Sequence, residues 1–474
     1  MQKSRSLRNI VVDPVRRLIR AALRPLPMSI VFAYAMKRRL TLLSDSKDPG
    51  ALTVLAFDPN RWTQDLLALA KVANVRIYAV PFAVSTRIHT LFFGSDPMPG
   101  IADYFLITDP EILAKREAQA RYATAVLAHL KRWLKLDCAA NPAIHYIVDF
   151  PWMSGGENAG VPFVTAHKEF TVLDDRQVRE RIDRWKNRYR FKFLGTRLAV
   201  TNAIAEKLFT EADVAPLPKV TRTGLLRFDN LLRAAPPVPP RDPVTVTLFS
   251  FGHLTGPFDS KAEPHGHYFT KHDDDGFVEL FKDTHVAFAE IARANPQAQF
   301  LIKPKNVERW WIEKIEWAVE EGLGVPLSAI PNCRVVADPA PDLIRRSVAA
   351  IGLNSTVVLE TAALDRDLIM PVFAEAAGKY ADKVYFPHFR DVFSVANSRA
   401  ELSAMVNRVL KGERLKVPAS DRLHAMLDEY VGNHDGHSAE RLAAVLHDVV
   451  RGRQSLQSET APLAADNATG RVAA

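Results

Sequence analysis

Cysteine is nearly absent. The 474 residues hold two, Cys138 and Cys333, which lie far apart and make no metal-ligand spacing. No disulfide framework is implied, and a reducing cytoplasm is the expected compartment. The apolar run at residues 26–36 has eleven residues, is broken by Pro27, and is too short for a bilayer, which needs about 20. No small-residue cleavage site follows it, which argues against a signal peptide. Excess charge is missing from most of the chain. The formal net charge is +8, but residues 1–40 hold ten Lys/Arg and one acid, Asp13, a net of +9. The remaining 52 basic and 53 acidic residues nearly cancel. A nucleic-acid enzyme should carry positive charge on its folded body, so the charge gives that class little support.

What is present is an ordinary globular balance, 47% hydrophobic and 24% charged, in a chain too long for one core. Residues 1–45 read as a basic amphipathic leader. Val15, Leu18, Ile19, Ala22 and Leu23 fall at helical spacing, with Arg16, Arg17, Arg20 and Arg24 largely elsewhere around the helix. Such a helix suits an anionic membrane surface, or packs on the body with a solvated basic face.

Residues 46–233 alternate apolar runs with helical patterns. Strands are expected at 52–57, 76–80, 145–148, 161–164, 197–200 and 219–221, and helices at 63–72, 110–135, 174–189 and 203–211. Residues 234–243 are proline-rich and read as a semi-rigid linker. A second alternation fills 244–452. Its strands are expected at 244–249, 299–303, 334–337, 348–353 and 368–372. Its helices are expected at 278–294, 307–321, 341–346 and 356–364, with closing helices at 399–410, 419–430 and 438–450. The polar, alanine-rich residues 453–474 are expected to form a disordered tail. The whole reads as two α/β domains with parallel sheets facing across a cleft. Ligands bind at the C-terminal ends of such strands.

The polar residues at those ends are therefore the candidates. Asn354-Ser355-Thr356 lies between a strand and a helix, where hydroxyls, backbone N–H groups and the helix dipole suit a phosphate. By itself the turn also reads as an ordinary helix cap. Glu360 lies about one turn on, placed for a ribose or as a surface carboxylate. Ser250, Gly252 and His253 follow another strand, and Lys303-Pro304-Lys305 ends a third. Together these form an anion pocket. In the first half, His167-Lys168-Glu169 ends a strand: His167 or Glu169 as a general base, Lys168 steadying negative charge. Arg227 and Asp229 read as a structural pair at the hinge. His265, His267, His272 and Asp273-Asp274-Asp275 lie in a long loop without regular ligand spacing, so a lid fits better than a metal site. Trp310-Trp311 reads as helix packing.

The order and spacing of His167-Lys168-Glu169, Gly224-Leu225-Leu226-Arg227-Phe228-Asp229, Lys303-Pro304-Lys305 and Asn354-Ser355-Thr356 through Glu360 resemble the bacterial surface-carbohydrate and capsule polysaccharide biosynthesis proteins of the GT-B glycosyltransferase type. The likeness covers approximately residues 50–450, and Asp435-Gly436-His437-Ser438 is a further familiar stretch. It implies twin Rossmann-like domains and transfer of a sugar from a nucleotide-sugar donor, bound mainly by the C-terminal domain, to a glycan or lipid-linked acceptor. It implies no obligatory metal and no cofactor beyond that substrate. Where relatives often carry a His-Pro contact to the donor phosphate, this chain has lysine. A peripheral position at the inner membrane is expected from the leader. A nucleotide-sugar epimerase or polyol-phosphate transferase on the same fold, and a non-catalytic membrane-associated partner, are the alternatives.

Overall fold

A computed structural model describes residues 28–94, 104–169, 172–233, 242–256, 275–305 and 308–460. The basic leader up to residue 27, most of the proline-rich linker, His265, His267, His272, Asp273 and Asp274, and the tail beyond residue 460 lie outside the described residues.

Two Rossmann-like α/β domains face each other. The first sheet contains β1 (Thr41–Ser44), β2 (Leu52–Phe57), β3 (Val75–Val80), β4 (Cys138–Asn141), β5 (Phe163–His167), β6 (Arg197–Val200) and β7 (Val220–Arg222). Its order is β1-β3-β2-β4-β5-β6-β7, parallel throughout except at the edge strand β1. The second contains β8 (Thr245–Phe249), β9 (Gln299–Lys303), β10 (Cys333–Val335), β11 (Ala349–Gly352), β12 (Asp367–Pro371) and β13 (Ser394–Ala396). Its order is β10-β9-β8-β11-β12-β13, all parallel. Helices cover both faces, so β2, β5, β8 and β12 are buried along their whole length and are mostly apolar. In the second sheet the chain runs outward from β8 through β9 to β10, then returns to β11 on the other side of β8. A crevice opens where the order reverses, beyond the ends of β8 and β11. The first sheet reverses in the same way between β2 and β4.

Most expected elements fall within one or two residues of those observed. The strand expected at 145–148 does not form. That stretch is a loop and one 3-10 turn, and the strand is the preceding Cys138–Asn141. Four small residues with weak strand preference give little signal, yet every one is buried between helices. β1 and β13, short and lateral, are additions. The helix Met28–Lys37 packs on the body, with Ala33 and Met36 buried. Lys37 lies 6.0 Å over the Trp133 ring. No helix among the described residues is long and apolar enough to cross a membrane.

The last helix corrects two boundaries. It runs Ser438–Thr460, so the tail does not begin at residue 453. It also leaves the second domain: Ala439, Leu442, Val445, Leu446 and Val449 pack with Leu52, Val54, Leu66 and Leu69 of the first. The chain thus crosses between domains twice. At the crossing, Leu225 N donates to Val431 O (3.0 Å) and Asn202 Nδ2 to Tyr430 O (3.0 Å). Gly224, with φ +84°, lies so close to Asn433 and Ser438 that a Cβ would not fit. Asp229 is not paired with Arg227. Its carboxylate accepts from Ser438 N (3.0 Å) and Ala439 N (2.7 Å), capping the last helix. Asp229→Ala is expected to cost about 1–2 kcal/mol through loss of this cap. Urea unfolding measures it, and an unchanged midpoint contradicts the assignment.

Candidate functional site

A cavity of about 580 Å³ lies between the domains, lined from both sides. On the second-domain wall, the turn after β11 begins at Asn354, which has φ +49°. Asparagine tolerates that left-handed conformation better than most residues. Its amide is fully engaged. Nδ2 donates to Thr255 O (3.0 Å) and Lys383 O (2.8 Å), and Oδ1 accepts from Tyr385 N (2.7 Å). Asn354 therefore rivets three loops together at the rim. Ser355 caps the helix Thr356–Ala363, its Oγ accepting from Val357 N at 3.4 Å. Asn354, Ser355, Thr356 and Glu360 all line the cavity, so this helix starts at the cleft.

Lys303, which ends β9, and Lys305 just beyond it line the same wall. Lys303 Nζ donates to Pro304 O (3.0 Å), and neither lysine has a carboxylate ion-pair partner among the described residues. Burial lowers the Lys303 pKa, partly opposed by Asp338. Ser250 and Gly252 line the cavity as well. His253 does not: it is buried, and its carbonyl accepts from Phe277 N (2.7 Å).

Arg227 joins the walls. Its backbone N donates to Asp65 Oδ1 (3.1 Å), on the helix Thr63–Val72 of the first domain. Its guanidinium donates to Thr356 Oγ1 (3.3 Å) and lies 3.5 Å from Glu360 Oε1 in the second. Burial raises the pKa of both Asp65 and Glu360, and Arg227 pulls both back. Arg227 is thus a cleft residue rather than half of a hinge pair with Asp229.

On the first-domain wall, Lys168 and Glu169 line the cavity 3.3 Å apart. Burial pushes the Glu169 carboxyl up, but Lys168, His145 and Arg227 outweigh it, so its pKa lies below the ordinary value. His167 is a correction. It is buried at 1% exposure, its Nδ1 accepts from Ile144 N (3.3 Å), and its ring packs edge-on against Phe209 at 4.8 Å. It does not line the cavity, so it is not placed to act as the base. Arg181 and Tyr385 complete the rim. In all, five cationic side chains (Lys168, Arg181, Arg227, Lys303, Lys305) face two carboxylates (Glu169, Glu360). Such a cavity favours an anion. No group of three or more His, Cys, Asp or Glu that could hold a metal occurs among the described residues.

Sequence reasoning missed the second polar cluster of the first domain, at its own strand reversal. Asp58 (φ +48°) holds Arg61 at 2.7 Å, and Arg61 stacks on Tyr146 at 4.5 Å. Behind them Thr165 Oγ1 donates to Asn141 Oδ1 (2.7 Å), and Asn141 Nδ2 donates to Asp149 Oδ2 (2.7 Å). Asn141 ends the strand that was misplaced, so the cluster had no visible anchor. His145 and Arg181 carried no motif signal either.

Two measurements test the buried parts of the site. Asn354→Gly and Asn354→Ala both lose the three hydrogen bonds, and the alanine variant also strains the positive φ. The alanine variant is expected to be the less stable by about 1 kcal/mol. Equal stability of Asn354→Ala and wild type would remove the rivet. Burial pushes the Asp149 carboxyl up to about 7, against the Asn141 hydrogen bond. The folded chain therefore holds this proton more tightly than the unfolded chain. The contribution of Asp149 to stability is greatest below its ordinary pKa and falls as pH rises through about 7. Asp149→Asn should flatten that slope in urea titrations across pH; a slope identical to wild type contradicts the account.

The chain matches no family model and no curated protein. Among solved structures, it is similar to a UDP-GlcNAc 2-epimerase from Neisseria meningitidis bound to UDP-GlcNAc: 12% identity over 84% of this chain and 99% of that one, TM-score 0.45. It is also similar to the wall teichoic acid polymerase TagF, at 10% identity over 94% of this chain and 99% of that one, TM-score 0.44. A glycosyltransferase from Rickettsia africae is similar at 8% identity over 87% of this chain and 100% of that one, TM-score 0.41. At such identities a likeness says nothing of substrate.

Proposed function

We propose that the protein is a glycosyltransferase. It moves a sugar from a nucleotide-sugar donor to a bacterial surface-polysaccharide or glycolipid acceptor. The observation that carries this reading is the pair Lys303 and Lys305. Two lysines that form no ion pair with a carboxylate among the described residues line the same wall as the start of the helix Thr356–Ala363, in the cleft between the two domains. Cations and a helix N-terminus at one spot are what a diphosphate needs.

In this reading the bond from the sugar's anomeric carbon to the phosphate oxygen breaks. Its electron pair leaves on the nucleoside diphosphate, whose growing charge Lys303, Lys305 and Arg227 offset. The acceptor oxygen bonds to the anomeric carbon and gives its proton to Glu169, on the opposite wall. The depressed pKa of Glu169 keeps it ionised at neutral pH, ready to accept that proton. Closure of the domains excludes water. The charge balance needs no metal. The basic leader, with Met28 and Tyr34 exposed on the first described helix, supports an anionic membrane surface as the place of work.

A thermal-shift screen against UDP, CMP, CDP and GDP tests the donor site. Binding to the native state raises the melting temperature by mass action. One nucleotide is expected to raise it, Lys303→Ala and Lys305→Ala to weaken that shift, and Glu169→Gln to retain it. With a competent acceptor, Glu169→Gln should lose roughly 10²–10⁴-fold in turnover. No shift with any nucleotide would sink the transferase reading.

A further inference from the structure

Ser250 follows β8 at the strand reversal and lines the cleft. Its hydroxyl is wired from behind. His285, on the helix Val278–Ala294, is fully buried, its ring centroid 4.1 Å from that of Phe281 and 6.3 Å from that of Phe251. His285 Nδ1 lies 2.7 Å from the Phe281 carbonyl oxygen. A carbonyl oxygen only accepts, so Nδ1 carries a hydrogen. Burial lowers the His285 pKa to about 4, so at neutral pH the ring holds one hydrogen and Nε2 is bare. Nε2 lies 3.0 Å from Ser250 Oγ. A bare ring nitrogen only accepts, so the serine gives its one hydrogen to it. Trp311 Nε1, a donor only, lies 3.3 Å from the same oxygen. Ser250 Oγ thus donates to His285, accepts from Trp311, and keeps one lone pair.

The hydroxyl of this cavity-lining residue therefore has an acceptor left to offer and no donor. A phosphate oxygen, itself an acceptor, gains nothing there. We infer that Ser250 recognises a hydrogen-bond-donating group of the nucleotide donor, a sugar hydroxyl or a base N–H, and does not hold its phosphates. This rests on the transferase reading and divides the donor site by chemistry: lysines for the phosphates, Ser250 for the nucleoside. His285 and Trp311 are positioning residues that act through the serine.

Isothermal titration of Ser250→Ala against the nucleoside diphosphate that binds wild type, and against inorganic pyrophosphate, tests this. The variant should bind the nucleotide roughly three- to tenfold more weakly, the worth of one hydrogen bond, with pyrophosphate unchanged. The 2′-deoxy and 3′-deoxy nucleotides then distinguish the sources. If a ribose hydroxyl is the partner, one of them becomes insensitive to Ser250→Ala; if a base N–H is, both stay sensitive. An equal loss for pyrophosphate, or none for the nucleotide, overturns the inference and leaves the transferase reading standing. Wild type that binds no nucleotide overturns both. If Ser250→Ala does not fold, histidine-selective nitrogen NMR of wild type decides the wiring. His285 is expected as the neutral Nδ1–H tautomer at neutral pH; the Nε2–H tautomer or an imidazolium would refute it.

Discussion

One residue, Arg227, ties the two halves of this molecule together at the cleft between them, through its backbone on one side and its guanidinium on the other. Arg227 stands between Asp65 of the first domain and Glu360 and Thr356 of the second. Both carboxylates are buried, and removing ionised groups from water costs several kcal/mol each unless they are paired. Arg227 answers both: its guanidinium lies 3.5 Å from Glu360, its backbone N–H donates to Asp65, and its charge pulls down the pKa of each. Its neighbours Leu226 and Phe228 belong to different cores, one on each side of the hinge. The segment Leu226–Phe228 is therefore fixed by packing on both sides while its one charge faces the cleft. The relative placement of the walls depends on this arrangement, and so does the approach of Thr356 to the first domain.

The other determinant is strand order. In the second sheet the reversal lies between β8 and β11, so the turns Ser250–Gly252 and Asn354–Thr356 open onto the crevice from adjacent strands. Lys303 ends β9, the neighbour of β8 on the far side, and its carbonyl holds Ser250 N at 2.9 Å. Three turns far apart in the chain become one wall because parallel strands bring their C-terminal ends to one edge of the sheet.

That placement is why the second domain was legible in the sequence. Its strands are apolar runs bounded by Ser, Gly, Lys-Pro and Asn-Ser-Thr, and such boundaries mark both the strand ends and the ligand side. The first domain was less so. Cys138-Ala139-Ala140-Asn141 is too short and too small-chained to read as a strand, although it is a central one. Misplacing it hid Asn141 and the cluster around Asp149. The motif His167-Lys168-Glu169 located the right strand end but not the direction of each side chain. His167 is the last residue of β5 and packs into the core, whereas Lys168 and Glu169 lie beyond the strand's end and reach the cleft. The crossing of the last helix onto the first domain had no local signal. Its apolar stripe fits any partner, and only the assembled surface of Leu52, Val54 and Leu66 selects one.

A common rule then sorts the candidate residues. Buried polar groups are almost always hydrogen-bonded, and those at the rim of this cleft are mostly committed to the protein itself. The Asn354 amide is spent on three backbone groups. The Ser250 hydrogen is spent on His285, and the Thr356 hydroxyl accepts from Arg227. Polarity at a strand end therefore marks where a site lies without saying which atoms touch a ligand. Lys303 and Lys305 differ, since neither forms an ion pair with a carboxylate among the described residues, although Asp338 acts on Lys303 from a distance. Chemistry that neutral groups could share among themselves has been used to build the walls. What is left facing the cavity is an excess of cationic over anionic side chains and the lone pair of Ser250. On the proposed reading the occupant brings negative charge to the lysines and a hydrogen-bond donor to Ser250 at the same time, a combination that a nucleotide supplies from two different parts of one molecule.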